Sequence, residues 1–388
     1  MCLVACGGAR ALDAGAAKID LALEPGIPLD GDVARRGRGA TSVHDPLHVR
    51  ALYLEDDGVS VFLVSADLFA ITPDLRARVL QLAPDVVPPE NIILVATHTF
   101  SGPGGLDRSW LARQRGGRFM PELVDALAMK FSEAMQVAYD ARKRCAVGYA
   151  SGTVALGVDA FAPQAPIESR VTVLRVDDSD GNPIAIVTNF AGAANTAARV
   201  DSFALSADYP GAFCDSLESM TAAETVAIFL NGESGDRDIS GSSVNADWSS
   251  VRSFGEALAT RAKSLANEIT CRELPIQLRV GALETPRSVA TPFLSDSSPL
   301  TVLEVSRLAI AFLPGIPYES SGAAIRSGAL ESGYTHVMTV APANGYIGAV
   351  APVDRYSLVR PLGDSVYFDP NASDALARAV VALIPRHE

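Results

Sequence analysis

The residues best suited to do chemistry lie in four short stretches. Thr97-His98-Thr99-Phe100-Ser101-Gly102-Pro103-Gly104-Gly105 sets an imidazole beside a glycine-rich loop. An imidazole moves protons near neutral pH or ligates a metal, and glycines let backbone N–H groups come close to a bound group. His98 is therefore a catalytic candidate, with Ser101, Gly102, Gly104 and Gly105 as substrate-binding candidates. In Glu233-Ser234-Gly235-Asp236-Arg237-Asp238, carboxylates flank an arginine. Paired carboxylates whose pKa values are pushed apart run general acid–base chemistry, which makes Asp236 and Asp238 catalytic candidates and Arg237 a binding one. The same residues suit a solvated turn. Ser234 has no adjacent base and so is a weak nucleophile. His44, Asp45 and His48 form a second cluster, whose spacing fits a ligand contact at His44 or a histidine that braces a loop. Asp208 and Tyr209 begin an Asp-Tyr-Pro-Gly loop, and Tyr209 and Tyr346 can donate a phenolic proton or meet a sugar face.

These groups need strands and helices to hold them. Ile92–Ala96, immediately before the His98 loop, is apolar and rich in Ile and Val, as a buried strand requires. Residues at the carboxyl end of such a strand face the crevice where α/β proteins place ligands. Val59–Ala66, Val226–Leu230, Ile276–Leu283, Leu308–Leu313 and Val337–Ala341 read as further strands, and Val171–Val176 with Ile184–Phe190 as a hairpin about Asp177–Asn182. Pro121 opens a helix marked by Leu123, Leu127, Phe131 and Met135. Val251, Phe254, Leu258 and Leu265 mark a second, and Ala372–Ile384 a third, capped near Asn371 or Ser373. The expected class is α/β, with mixed β-sheets covered by helices in layers. One domain is expected over residues 14–388, after a tail at 1–13.

Composition narrows the partners. The 388 residues carry 32 Lys plus Arg against 45 Asp plus Glu, a net charge of −13, which excludes nonspecific binding to nucleic-acid phosphates. Hydrophobic residues at 48% exclude a disordered chain. No apolar run reaches the roughly 18 residues of a membrane span. Cys145, Cys214 and Cys271 are scattered and suggest neither a disulfide framework nor a cysteine zinc site. Leu3-Val4-Ala5-Cys6 resembles the lipobox of bacterial lipoproteins, in which Cys6 would carry the lipid. Almost nothing precedes it. The expected location is periplasmic or membrane-anchored through Cys6 if the true start lies upstream, and cytoplasmic otherwise.

An ordered set of motifs carries a wider resemblance. The Thr97–Gly105 segment, Ala14–Asp20 with Pro25-Gly26, His44 to Ala51, Ser65-Ala66-Asp67-Leu68, Asn189-Phe190-Ala191, Asp208–Gly211, Asn231-Gly232 with Gly235-Asp236, Pro314-Gly315 and Asn344-Gly345-Tyr346 are together similar to the neutral/alkaline ceramidase family. The resemblance spans roughly residues 14–360. It implies that family's layered catalytic-domain fold and an amide hydrolase acting on a lipid. It also implies zinc held by two histidines, a glutamate and a tyrosine. Carried over singly, those ligands fall on His98, Ala193, Ile316 and Ala349. Only His98 can bind a metal, and the second histidine of the family's T-H-T-H is Phe100. Zinc sites use three or four protein ligands, so neither zinc nor another metal cofactor is expected. Glu319, His336 and Asn195 are the residues from which a rebuilt site would draw. The leading expectation is an enzyme of altered, zinc-independent chemistry on a lipid-like or carbohydrate small molecule. An amide hydrolase with a rebuilt metal site and a non-catalytic ligand-binding pseudoenzyme are the alternatives.

Overall fold

The computed structural model describes residues 12–160, 162–239, 247–284, 297–356 and 371–387. The lipobox-like stretch ending at Cys6 lies outside them. In chain order the strands are β1 Asp13–Asp20, β2 Ser42–Val43, β3 His48–Asp56, β4 Val59–Ala66, β5 Ile92–Ala96, β6 Lys143–Asp159, β7 Ala162–Asp178, β8 Pro183–Phe190, β9 Ala204–Leu205, β10 Val226–Asn231, β11 Arg237–Asp238, β12 Ile276–Glu284, β13 Ser297–Val305, β14 Leu308–Phe312, β15 Ile316–Pro317, β16 His336–Val340 and β17 Ala349–Val350. The helices are α1 Pro73–Leu82, α2 Trp110–Gly116, α3 Pro121–Asp140, α4 Thr196–Val200, α5 Asp208–Ser219, α6 Trp248–Glu268, α7 Glu319–Glu331, α8 Val353–Tyr356 and α9 Ala372–Leu383.

Among the described residues a large mixed sheet runs β10-β8-β7-β6-β1-β3-β4-β5, with β11 paired to β6. A second sheet runs β12-β13-β14-β16. The two pack face to face. Val61, Leu63, Ile93, Val95, Ile228 and Leu230 of the first meet Leu303, Ile310, Phe312, Met338 and Val340 of the second. Alternate residues of the same strands, such as Phe62, Val64 and Leu94, turn the other way onto α1 and α3. Farther along, Val173, Ile186 and Phe229 meet α5 and α6. The outer face of the second sheet, with Val302 and Ala311, lies under α7 and α9. Both faces of β4, β5 and β10 are thus largely dry, which is why these strands are mostly apolar in the sequence. Helix–sheet–sheet–helix layering is the mixed, helix-covered α/β architecture expected. The hairpin is present as β7–β8. The cap expected for α9 is not: Asn371 holds the N-cap position without a side-chain cap bond, and Ser373 bonds Ser321 at 2.6 Å.

Three parallel pairs, β4/β5, β8/β10 and β14/β16, deliver loops at their carboxyl ends. The segment after β16 brings those ends together. Ala341 N donates to Asn231 O at 2.9 Å and Ala96 N to Pro342 O at 3.1 Å. Asn189 Nδ2 donates to Thr339 O at 2.9 Å. Asn344 is the firmest tie between the sheets. Its N–H donates to Leu94 O at 2.7 Å, its Oδ1 accepts from Leu94 N at 2.9 Å, and its Nδ2 donates to Thr301 Oγ1 at 3.4 Å. It holds φ at 56°, a left-handed value that asparagine tolerates better than most residues. Asn344→Ala leaves the buried Leu94 N–H without its acceptor and puts alanine in that conformation. We expect a loss of about 2–3 kcal/mol, seen as a lower urea midpoint at unchanged slope. An unchanged midpoint would mean the tie contributes nothing.

Candidate functional site

His98 follows β5 with φ at 63°, a conformation a non-glycine residue holds only when its surroundings enforce it. The ring is 1% exposed. Its Nδ1 lies 2.7 Å from Phe69 O. A carbonyl only accepts, so Nδ1 carries the proton of that bond. Phe69, Phe100 and Tyr346 surround the imidazole at centroid distances of 4.3, 5.3 and 6.0 Å. The Arg115 guanidinium lies 4.5 Å over the Phe69 ring and 4.8 Å over Tyr346. It is fixed there by Asp30, through its Nε and, at 3.2 Å, its Nη2. Arg35, fully buried, donates to Asp30 O, Phe100 O and Ser202 O, each at 2.6 Å. His98 and Tyr346, apart in sequence, therefore share one aromatic box. Phe69, Arg115 and Asp30 belong to it as well, and no spacing in the sequence singles them out.

The glycines of this loop serve packing. Gly104 N donates to Pro28 O at 2.6 Å and Gly105 N to Gly116 O at 2.7 Å. A Cβ on Gly104 would lie 2.2 Å from Gly116 O, and one on Gly102 3.3 Å from Asp67 O. The amides of Gly104 and Gly105, expected to face a ligand, are spent inside the protein. Ser101 is wholly buried and its Oγ meets no hydrogen-bond partner. Ser101 O instead accepts from Ser206 N at 3.1 Å, which locks this loop to β9.

The positions that correspond by resemblance to the other zinc ligands are Ala193, Ile316 and Ala349. Ile316 pairs with Ala349 across β15–β17. Ala193 N donates to Arg237 O at 3.0 Å, and Ala194 O accepts from Phe100 N at 2.9 Å. Ile316 and Ala349 are buried, the latter against Tyr318 and Ala351. The residues present do not fit zinc. His98, its Nδ1 engaged, is the one donor in that set, since the side chains of Ala193, Ile316 and Ala349 carry none. Among the described residues no three His, Cys, Asp or Glu side chains gather where a metal could bind, Glu319 and His336 included.

Asp236 and Asp238 each have their own partners. Asp236 Oδ1 accepts from Glu319 N at 3.0 Å and so caps α7. Burial raises its carboxyl above the ordinary range, while Arg237 acts the other way. Asp238 Oδ2 meets Arg199 Nη2 at 2.7 Å. Arg237 lines a small polar cavity with Glu233 and Glu319. The cysteines are poor nucleophiles, since burial pushes the thiols of Cys145, Cys214 and Cys271 up to about 12.

His44 and Asp208 meet elsewhere. With Asp45, Asp215 and Trp248 they line a cavity of about 350 Å³ between α5 and α6. His44 stacks on Trp248 at 3.5 Å and 9°. Asp208-Tyr209-Pro210-Gly211, expected as a loop, is instead the first turn of α5. Tyr209 is therefore withdrawn from any ligand. Its ring is buried 4.9 Å from Phe254 and 5.5 Å from Phe229, and its hydroxyl donates to Gly192 O at 2.8 Å. Asp208 is buried too, accepting from Tyr209 N at 2.6 Å and Ala197 N at 2.8 Å. Burial pushes its carboxyl up to about 7 despite those donors, and nearby Asp45 adds to the rise. A carboxyl raised in the folded state binds more protons folded than unfolded at intermediate pH. Its contribution is present at low pH and is lost as pH rises toward 7. Asp208→Asn should remove that loss. Relative to the variant, the wild type should weaken by more than about 1 kcal/mol between pH 4 and pH 8, as measured by urea unfolding. Parallel pH profiles would contradict the assignment.

Comparisons with known proteins bear on the fold. Neither a family model nor a curated protein matches the sequence. Solved structures do. Neutral ceramidase from Pseudomonas aeruginosa superposes with a TM-score of 0.83 at 17% identity, over 97% of this chain and 74% of that one. A ceramidase complexed with C2 gives 0.80 at 16%, over 98% and 77%. The chain has a ceramidase-like fold.

Proposed function

We propose that this protein takes up a lipid-like ligand at the aromatic box over His98, without zinc, and that binding rather than metal-assisted hydrolysis is its activity. The observation that carries the reading is the enclosure of His98 by Phe69, Phe100 and Tyr346, with no three His, Cys, Asp or Glu side chains gathered to hold a metal among the described residues. Three rings line the box, with the Arg115 guanidinium, paired to Asp30, over two of them, and such rings suit the chain of an amphiphile. The rim supports the same choice. Trp110, 67% exposed, begins the helix that ends near Arg115. Around it, Arg36, Arg113 and Arg118 are exposed and make no ion pair among the described residues. An exposed indole among arginines suits the surface of an anionic lipid layer. No helix among the described residues is long and apolar enough to cross a membrane.

A second reading, a zinc-independent acid–base enzyme, has one observation in its favour, the raised carboxyl of Asp236 beside Arg237. Two measurements separate the readings. Protein purified without chelator should hold substoichiometric zinc, and it should bind a fluorescent short-chain N-acyl amphiphile equally before and after EDTA. Tyr346→Ala should weaken that binding by about tenfold, with no product released from the amphiphile. Stoichiometric zinc, or hydrolysis that EDTA abolishes, would overturn the proposal. Hydrolysis insensitive to EDTA and lost in Asp236→Asn would establish the enzyme reading instead.

A further inference from the structure

We infer that this protein docks on an anionic lipid bilayer, through one face made by the 3-10 turn Val33–Arg35, helix α2 and the residues that follow each. Trp110, at the start of α2, is the most exposed large apolar side chain among the described residues, at 67%. Val33, on the turn, is 45% exposed. Helix α2 packs against that turn. Gly37, which separates Arg36 from Arg38, lies against Gly117, which precedes Arg118. A Cβ on Gly37 would stand 2.9 Å from the Gly117 Cα, and one on Gly117 3.1 Å from the Gly37 Cα. Arg113 is one turn of α2 from Trp110, and its carbonyl accepts from Gly117 N at 3.1 Å. Two stretches far apart in the chain are thereby brought side by side, and Arg36, Arg38, Arg113 and Arg118 are exposed on them.

The charge of this face is opposite to that of the molecule. Residues 30–38 and 107–118 hold seven arginines against three aspartates, a net +4, while the whole chain is −13, which leaves −17 on the rest. Asp74, which pairs with Arg108 at 2.7 Å, and Asp201, whose charge acts on buried Arg35, lower the local surplus to +2 without removing it. Anionic headgroups attract such guanidinium groups, and an indole settles where headgroup meets hydrocarbon. An exposed aliphatic side chain beside the indole favours a bilayer over a soluble polyanion, which offers charge but no hydrocarbon. The same two elements wall the His98 box. Arg35 donates to Phe100 O at 2.6 Å, and Arg115 lies 4.5 Å over Phe69 and 4.8 Å over Tyr346. A bilayer docked on their outer side therefore stands next to the box. Docking rests on the reading of that box as a lipid site for what the bilayer supplies, and on the face's own charge and exposure for the contact.

Co-sedimentation of the full chain with vesicles of phosphatidylcholine, with and without phosphatidylserine, tests it. The protein should bind the phosphatidylserine vesicles at low salt, bind them far less at high salt, and leave phosphatidylcholine vesicles unbound. Tryptophan emission should shift to the blue on binding, and Trp110→Ala should abolish that shift and weaken binding severalfold. The triple variant Arg36→Gln, Arg113→Gln, Arg118→Gln should weaken binding by about tenfold or more, with folding of both variants checked by circular dichroism. No binding of the wild type to either vesicle, or variants that bind as the wild type does, would overturn the docking face. So would retention on heparin without vesicle binding, which would assign the face to a soluble polyanion. The fluorescent amphiphile needs no vesicle, so the two readings fail separately. Vesicle binding without amphiphile binding upholds the docking face and removes the box as a lipid site, whereas amphiphile binding without vesicle binding overturns the face alone.

Discussion

The structure depends on a single stitch between two sheets. Ala341 to Asn344 leaves the second sheet and hydrogen-bonds into the carboxyl ends of β5 and β10 in the first. Without it the loops after β5, β8, β10, β14 and β16 would emerge from separate layers. With it, His98 and Tyr346, distant in the chain, share one aromatic box. The stitch is made of backbone groups and one asparagine, so it constrains the site's shape while leaving its side chains free to change. That separation explains how a ceramidase-like fold can stand at 17% identity to a neutral ceramidase.

Around the His98 box, buried charge positions the loops. Arg35 ties three carbonyls from three loops, and Arg115 is held against Asp30. Arg50 and Asp67 pair at 3.0 Å, both almost wholly buried, where β3 meets the end of β4. Such pairs add little net stability because desolvation offsets their attraction, but breaking one leaves an unmatched charge in a dry place. They therefore specify loop geometry more than they stabilise the fold. The left-handed backbone at His98 is the strain they sustain: its imidazole is oriented by Phe69 O and walled by three rings, which arginine in turn holds in place.

How much of this the sequence discloses depends on what each residue type has to report. Strands buried on both faces are legible because a dry strand must be apolar throughout, and Val59–Ala66 and Ile92–Ala96 match to the residue. Helix α3 is legible because Pro121 and the spacing of Leu127 and Phe131 agree. Glycine is ambiguous: the residue that admits a ligand is the same one that admits a neighbouring backbone, and at Gly104 the neighbour is Gly116. Asp208–Gly211 misleads because proline and glycine signal turns, yet proline also suits a first helical turn. The apolar spacing of Phe213 and Leu217 just beyond is the signal that favours the helix. Arg115, Asp30 and Trp248 gave no local signal, since their roles depend on partners far away in the chain.

The two cavities away from His98 show why the site cannot be inferred from fold alone. One is acidic and holds a carboxyl near neutrality between α5 and α6. The other is polar, with arginines set against carboxylates, and lies beside the loop that carries Asp236. Both are made by side chains on regular elements of the fold, the first on α5 and α6 and the second on β7, β16 and α7. A scaffold whose loops are fixed by main-chain bonds can lose donor atoms at one place and concentrate charge at another at little cost in stability. In such a scaffold the chemistry open to His98 has to be read from what surrounds it, three rings and a paired arginine.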